Sequence, residues 1–138
     1  MALPNFSTDL RVITINGRQI THWGENATPY DNAPIDPKSQ LRRGQGGGAI
    51  RNDRINPGRT VNIYLNPGSP DSAYMQGLFN SKATITLTDM QIGTLEAAVG
   101  TEGVITNDGT QGRAGMTISD DQYIMEFNGW DASKGGAA

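Results

Sequence analysis

The stretch Arg59-Thr-Val-Asn-Ile-Tyr-Leu65, followed at once by Asn66-Pro-Gly-Ser-Pro-Asp71, decides the fold class. Val61, Ile63 and Leu65 alternate with Thr60, Asn62 and Tyr64, the two-residue period of a strand with one apolar and one polar face. The turn after it ends on Ser69, placed to cap a helix whose first residue is Pro70 and whose second, Asp71, favours the positive end of the helix dipole. Tyr74, Met75, Leu78 and Phe79 follow at helical spacing, so the sequence predicts one short helix over about residues 70–80, packed on the apolar side of the strand. Gly77 weakens that helix slightly.

The same alternation returns on both sides. Ala83, Ile85 and Leu87 oppose Thr84, Thr86 and Thr88, which predicts a strand over 83–88 with an all-threonine polar face. Near the end, Tyr123, Met125 and Phe127 alternate with Ile124, Glu126 and Asn128, and Gly129 marks a bulge before Trp130. Upstream, Asn16-Gly17 joins Leu10–Ile15 to Arg18–Trp23 as a type I′ hairpin. Its register sets Leu10 against Trp23, Val12 against Thr21 and Ile13 against Ile20, so a hairpin covered on both sides is expected. Between Asp89 and Asp121 the pattern fades, with strands expected near 92–99 and 102–106 and a turn over 107–112.

Residues 24–58 have almost no periodicity. Pro29, Pro34, Pro37, the run Gly44-Gln-Gly-Gly-Gly48 and Asn56-Pro-Gly58 break the chain, leaving two extended pieces at 39–43 and 49–55 that can form a ribbon bent at the glycines. About thirty such residues inside one domain call for a use: an arm, an interface loop or a flexible insertion.

Composition agrees with a mainly β protein. The 138 residues include 18 Gly and 7 Pro, too many breakers for a helical bundle, and 36% hydrophobic residues allow one domain with a thin core. Cysteine is absent, which excludes a disulfide scaffold, a cysteine-zinc site and thiolate catalysis. The start, Met1-Ala-Leu-Pro-Asn-Phe6, has neither a basic nor an apolar leader pattern, and no apolar run reaches membrane-span length, so a soluble, unexported chain without a membrane anchor is expected. The closing Ser133-Lys-Gly-Gly-Ala-Ala138 is too small and plain to order alone.

Catalytic patterns fail one by one. His22 is the only histidine and reads as a surface or packing residue beside Trp23. Asp120 and Asp121 are adjacent, which in a strand sends them to opposite faces, and they read as a turn. Gly44-Gln-Gly-Gly-Gly-Ala49 has the spacing of a dinucleotide loop but no apolar strand before it and no helix after it. No cofactor, no metal site and no enzymatic activity are expected.

Charge is the one strong asymmetry. Arg42, Arg43, Arg51, Arg54 and Arg59 face a single acid, Asp53, so residues 42–59 carry +4 and the rest of the chain −7. A basic arm docking on the acidic surface of an identical neighbour explains both halves. The competing reading, a small β-domain that binds nucleic acid through 42–59, lacks the stacking aromatics such modules use.

Taken in order, the hairpin, the Pro/Gly-broken ribbon, Gly58-Arg-Thr-Val-Asn-Ile-Tyr-Leu65, Ser69-Pro-Asp-Ser-Ala-Tyr-Met-Gln-Gly-Leu78 and the threonine strand resemble tail tube proteins of tailed bacteriophages, particularly the contractile-tailed ones. The resemblance spans about residues 10–90, and Trp130 corresponds to a tryptophan of the family's last strand, whereas 107–115 has no counterpart. It implies a β-sandwich or partial barrel with one short α-helix, each chain giving four strands to a barrel that closes only by oligomerisation. It also implies homo-hexameric rings stacked into a tube in the virion tail, with sheath, baseplate and terminator proteins as partners and genomic DNA passing through without specific binding. A baseplate or terminator ring is the close variant. Six copies would carry −18, so a bore without arginine repels phosphates. On that reading the five arginines sit at subunit contacts, and Thr60, Asn62, Thr84, Thr86 and Thr88 line the bore.

Overall fold

The computed structural model describes residues 3 and 5–135. Its strands are Arg11–Ile15 (β1), Arg18–Gln19 (β2), Tyr30–Pro34 (β3), Ser39–Arg43 (β4), Ala49–Asp53 (β5), Arg59–Leu65 (β6), Ile85–Gln91 (β7), Glu96–Asp108 (β8) and Asp121–Ser133 (β9), with one α-helix, Pro70–Ser81 (α1). Seven strands make one sheet in the order β2-β1-β7-β8-β9-β6-β3, and β4 and β5 pair apart from it. Every pairing is antiparallel. The expectation for the last three residues of the chain lies outside those described.

Alternation becomes packing at β6. Val61, Ile63 and Leu65 are fully buried, and the register that sets Val61 beside Met125 and Ile63 beside Tyr123 brings the two apolar stripes together. They share one core with Ile13 and Ile15 of β1, Ile85 and Leu87 of β7, and Met75 of the helix. The helix forms as its signals require: the Ser69 hydroxyl accepts from the Ser72 N–H at 3.2 Å, and Lys82 closes the helix in the left-handed region at φ +55°. Tyr74, Leu78 and Phe79 pack partly against the core.

The sheet rolls up. Five strand steps separate β1 from β3, about 24 Å if the sheet were flat, yet the Arg11 guanidinium lies 5.8 Å from the Tyr30 ring centroid. No ladder joins β1 to β3 among the described residues; a cavity of about 330 Å³, lined in part by Arg11, Ile13, Trp23, Tyr30 and Gln91, separates them. The monomer is therefore a partial barrel, mainly β, with an open seam.

One long hairpin serves both walls. The β6 ladder on β9 ends at Arg59–Phe127, the β7 ladder on β8 ends at Ile85–Gly103, and Phe127 pairs with Gly103. Below that row β8 and β9 run with β6 and β3; above it they run with β7 and β1. At the row β8 changes face: Ala98 and Gly100 are buried, then Gly103 and Ile105, with Glu102 at φ +53° between them. Gly103 is required there, because a Cβ would fall 2.3 Å from the Phe127 ring.

Several expectations are corrected. The first hairpin has the expected register, Thr14–Gln19 and Ile15–Arg18, but its second arm departs after Ile20, and Trp23 bridges to Leu65 on β6 instead of facing Leu10. Only one side of β1 is buried; Val12 and Thr14 remain partly exposed. The threonine strand starts at Ile85, because the Ala83 N–H still belongs to the helix exit, donating to the Leu78 carbonyl. The two short strands expected between 92 and 106 are one strand, β8, preceded by a turn at 92–95. Within the stretch read as irregular, Tyr30–Pro34 is a strand held by β6, whereas the ribbon expected from 39–43 and 49–55 is present, its second strand ending at Asp53.

Candidate assembly surfaces

The β4–β5 hairpin pairs only with itself, and every residue from 37 to 56 is exposed. It leaves the body through Pro34–Pro37 and returns through Pro57-Gly58, where Gly58 takes φ +80°. It carries Arg42, Arg43, Arg51 and Arg54 together. Arg51 reaches Asp53 at 2.8 Å, an exposed pair of little energetic weight. Arg42 and Arg43 make no salt bridge among the described residues. Apolar groups stand out beside them: Leu41 is 65% exposed, Ile50 62% and Ile55 95%. Arg59 does not belong to this group. It starts β6, donates to the Asn32 side chain at 2.6 and 2.9 Å, and lies over Trp130.

The residues proposed for the bore fall on two faces. Thr60 and Asn62 point outward from β6, in a row with Glu126 and Ile124 of β9, and the Asn62 amide donates to Asp31 of β3. Thr86 and Thr88 point outward from β7, in a row with Thr14 of β1 and Val99 of β8. In the rolled sheet β6 and β7 stand on opposite sides, so these two faces look away from each other. Thr84 precedes β7, and its carbonyl accepts from the Asn16 amide at 3.0 Å. The first face is mostly polar and acidic, with Val104 (43% exposed) and half-buried Ile124 as aliphatic members. The second also exposes Met90 (44%) and Val99 (41%).

Buried acids hold the body together, and the sequence gives no local sign of them. Asp71, 1% exposed, accepts the Thr21 and His22 N–H groups at 2.8 and 3.0 Å and meets Arg18 and the His22 ring. Burial alone raises a carboxyl pKa, but the four donors outweigh it and hold Asp71 well below the usual carboxylate range. Asp89 pairs with Arg11 at 2.5 Å across β1 and β7. Burial, and then the Asp89 charge, push the Tyr30 phenol well above its ordinary value. Asp120 and Asp121 diverge as expected of neighbours, but they do not form the expected turn, because Asp121 opens β9 opposite Leu65: Asp120 accepts from Glu25 and Asn26 N–H groups, and Asp121 meets Arg113 at 2.5 Å and the Ser72 hydroxyl. His22 is a half-exposed partner of Asp71.

No protein-family model matches the chain, and no curated protein matches it. Solved structures do. A chain of the sheath–tube complex of the PVC extracellular contractile injection system, in its extended state, superposes with TM-score 0.58 at 11% identity, covering 94% of this chain and 92% of that one. The tube-terminating cap of the anti-feeding prophage gives 0.57 at 13% identity, over 97% and 94% of the two chains. The baseplate of the same particle gives 0.57 at 8% identity, over 96% and 97%. The likeness is one of fold, and it extends over nearly the whole of each chain: this protein has the tail-tube-like fold found in contractile systems.

Proposed function

We propose that the chain is a structural, non-enzymatic subunit of a contractile-type tail, and specifically a tube protein whose copies form six-membered rings stacked into a conduit for DNA. The observation that carries this is the end-to-end fold likeness to components of contractile particles. Two features of the chain support it. The rolled sheet leaves its seam open, so its strand margins are available to neighbours. The exposed arm gathers four arginines and three large aliphatic residues that nothing among the described residues covers. In the ring, the arm arginines Arg42, Arg43, Arg51 and Arg54 contact a neighbouring subunit, and each interface buries about 2,000 Å² or more. The bore is lined by the β6 face with Thr60 and Asn62, whose neighbours Asp31 and Glu126 repel phosphate so that DNA slides without specific binding. Sheath, baseplate and terminator proteins are the partners, in a tail assembled in the host cytoplasm.

The likeness to the cap and the baseplate, with TM-scores of 0.57, is close to that to the sheath–tube complex, at 0.58, and it favours a terminator or baseplate ring as the second reading. Negative-stain imaging of the purified protein separates these. Filaments support a tube and single rings the second reading; uniform monomers at high concentration overturn both. Changing Arg42→Glu together with Arg43→Glu abolishes assembly if the arm docks. Unchanged particles, or salt-dependent binding of short duplex DNA by a monomer, would overturn the arm's assigned role in favour of nucleic-acid binding through residues 42–59.

A further inference from the structure

We propose that the arm of one copy docks on the outward face of β1, β7, β8 and the end of β9 in a second copy, centred on Val99 and Asp131; the inference rests on the assembly reading above. An isolated two-stranded hairpin is marginally stable in water, and this one has no partner in its own chain among the described residues. Its five cross-strand pairs include Leu41 with Arg51 and Ile50 with Arg42, which point to opposite sides. Each side of the arm therefore sets an aliphatic group beside a guanidinium, and a matching surface sets an apolar group beside a carboxylate.

The body offers that pattern twice, as Val99 paired with Asp131 and as Val104 paired with Glu126. Their surroundings decide between them. Val104 and Glu126 adjoin Thr60 of β6, in a face where the nearby Asn62 and Asp31 are polar and the further aliphatic group, Ile124, is already half-buried, so aliphatic arm residues gain less burial there. Val99 adjoins Thr88, and the same face carries exposed Met90, with exposed Ile92 and Leu95 in the turn at its end. Exposed Glu102, at the bend, adds a second carboxylate. With its Leu41 side turned to that face, Leu41 is covered by Met90 and Val99 while Arg43 and Arg51, on the same side of the ribbon, meet Asp131 and Glu102. The arm and its receiving face are different surfaces, so each copy donates one arm and accepts one, the head-to-tail geometry that closes rings. The opposite face, with Thr60 and Asn62, stays uncovered.

The natural chain has no cysteine, so introduced thiols report the contact cleanly. Leu41→Cys and Val99→Cys in one chain, oxidised and run on a non-reducing denaturing gel, give a ladder of covalent multimers; Leu41→Cys with Val104→Cys gives none. Asp131→Arg raises the concentration needed for assembly about tenfold or more, and adding Arg43→Glu and Arg51→Glu to the same chain lowers it again. A ladder from the 41/104 pair alone, or none from either pair in a sample that images as rings or filaments, overturns this docking face and leaves the assembly reading standing. Wild-type protein that stays monomeric overturns both.

Discussion

Replacing Asp71 by Asn tests whether one buried carboxylate fastens the helix to the first hairpin. In the native chain its two oxygens accept from the Thr21 and His22 N–H groups, Arg18 Nε at 2.9 Å and His22 Nδ1 at 3.0 Å. Asn can still accept the backbone donors through its one carbonyl oxygen, but its amide nitrogen then faces the Arg18 guanidinium, donor against donor. Hydrogen bonds to charged groups contribute about 1.5–3 kcal/mol each, and the negative charge at the helix start adds about 0.3–1 kcal/mol. Arg18 and His22 are 41% and 48% exposed, so water recovers part of their loss. The net cost is about 2–3 kcal/mol, or on the order of 6–12 °C in melting temperature for a domain of this size. The acid dependence follows from the depressed carboxyl: its contribution is fully present above the unfolded-state value of about 3.9 and is lost as pH falls below it toward the folded value. Thermal melts at low protein concentration, from neutral pH downward, therefore show a constant gap between wild type and Asp71→Asn that narrows below about pH 4. A gap under about 2 °C at neutral pH, or one that does not narrow in acid, refutes the reasoning.

Gly103→Ala pushes a methyl group against the Phe127 ring and within 3.0 Å of the Ile85 carbonyl oxygen, so it costs about 1–3 kcal/mol in chemical denaturation; an unchanged midpoint would show that the bend is not tightly packed. Tyr30→Phe removes the most alkaline portion of the ultraviolet tyrosinate titration. The raised phenol means that its contribution to stability is complete below the ordinary tyrosine value and disappears as pH rises through the folded one. A titration unaltered by the substitution would place the late-ionising phenol elsewhere.

What could be read from the chain alone follows from local physics. The stripes Val61/Ile63/Leu65 and Tyr123/Met125/Phe127, the Asn16-Gly17 turn and the Ser69-Pro70 cap each state their conformation within a few residues. The separate ribbon of β4 and β5 was legible for the same reason: its strands are joined by a short glycine turn. β3 was not legible, because Tyr-Asp-Asn-Ala-Pro has no alternation and ends in proline; it is a strand because β6 supplies the partner. β8 hid its continuity at Gly100, Glu102 and Gly103, where the change of face breaks the two-residue period that a sequence reading depends on. At the assembly surfaces, the arginines were visible as a charge imbalance. The division of the threonine faces was not, since it depends on how far a seven-stranded sheet rolls. The pairs Arg11–Asp89, Arg18–Asp71 and Arg113–Asp121 join residues that mostly lie far apart in sequence, and no spacing rule finds them.

The bent β8–β9 hairpin has a mechanical consequence. Because its two strands are common to both walls, a pull along them loads many rungs of one ladder in shear at the same time, whereas a pull across the sheet peels rungs one after another. The segment that turns the corner thereby acts as a tendon, passing strain from one wall to the other without leaning on any single side chain.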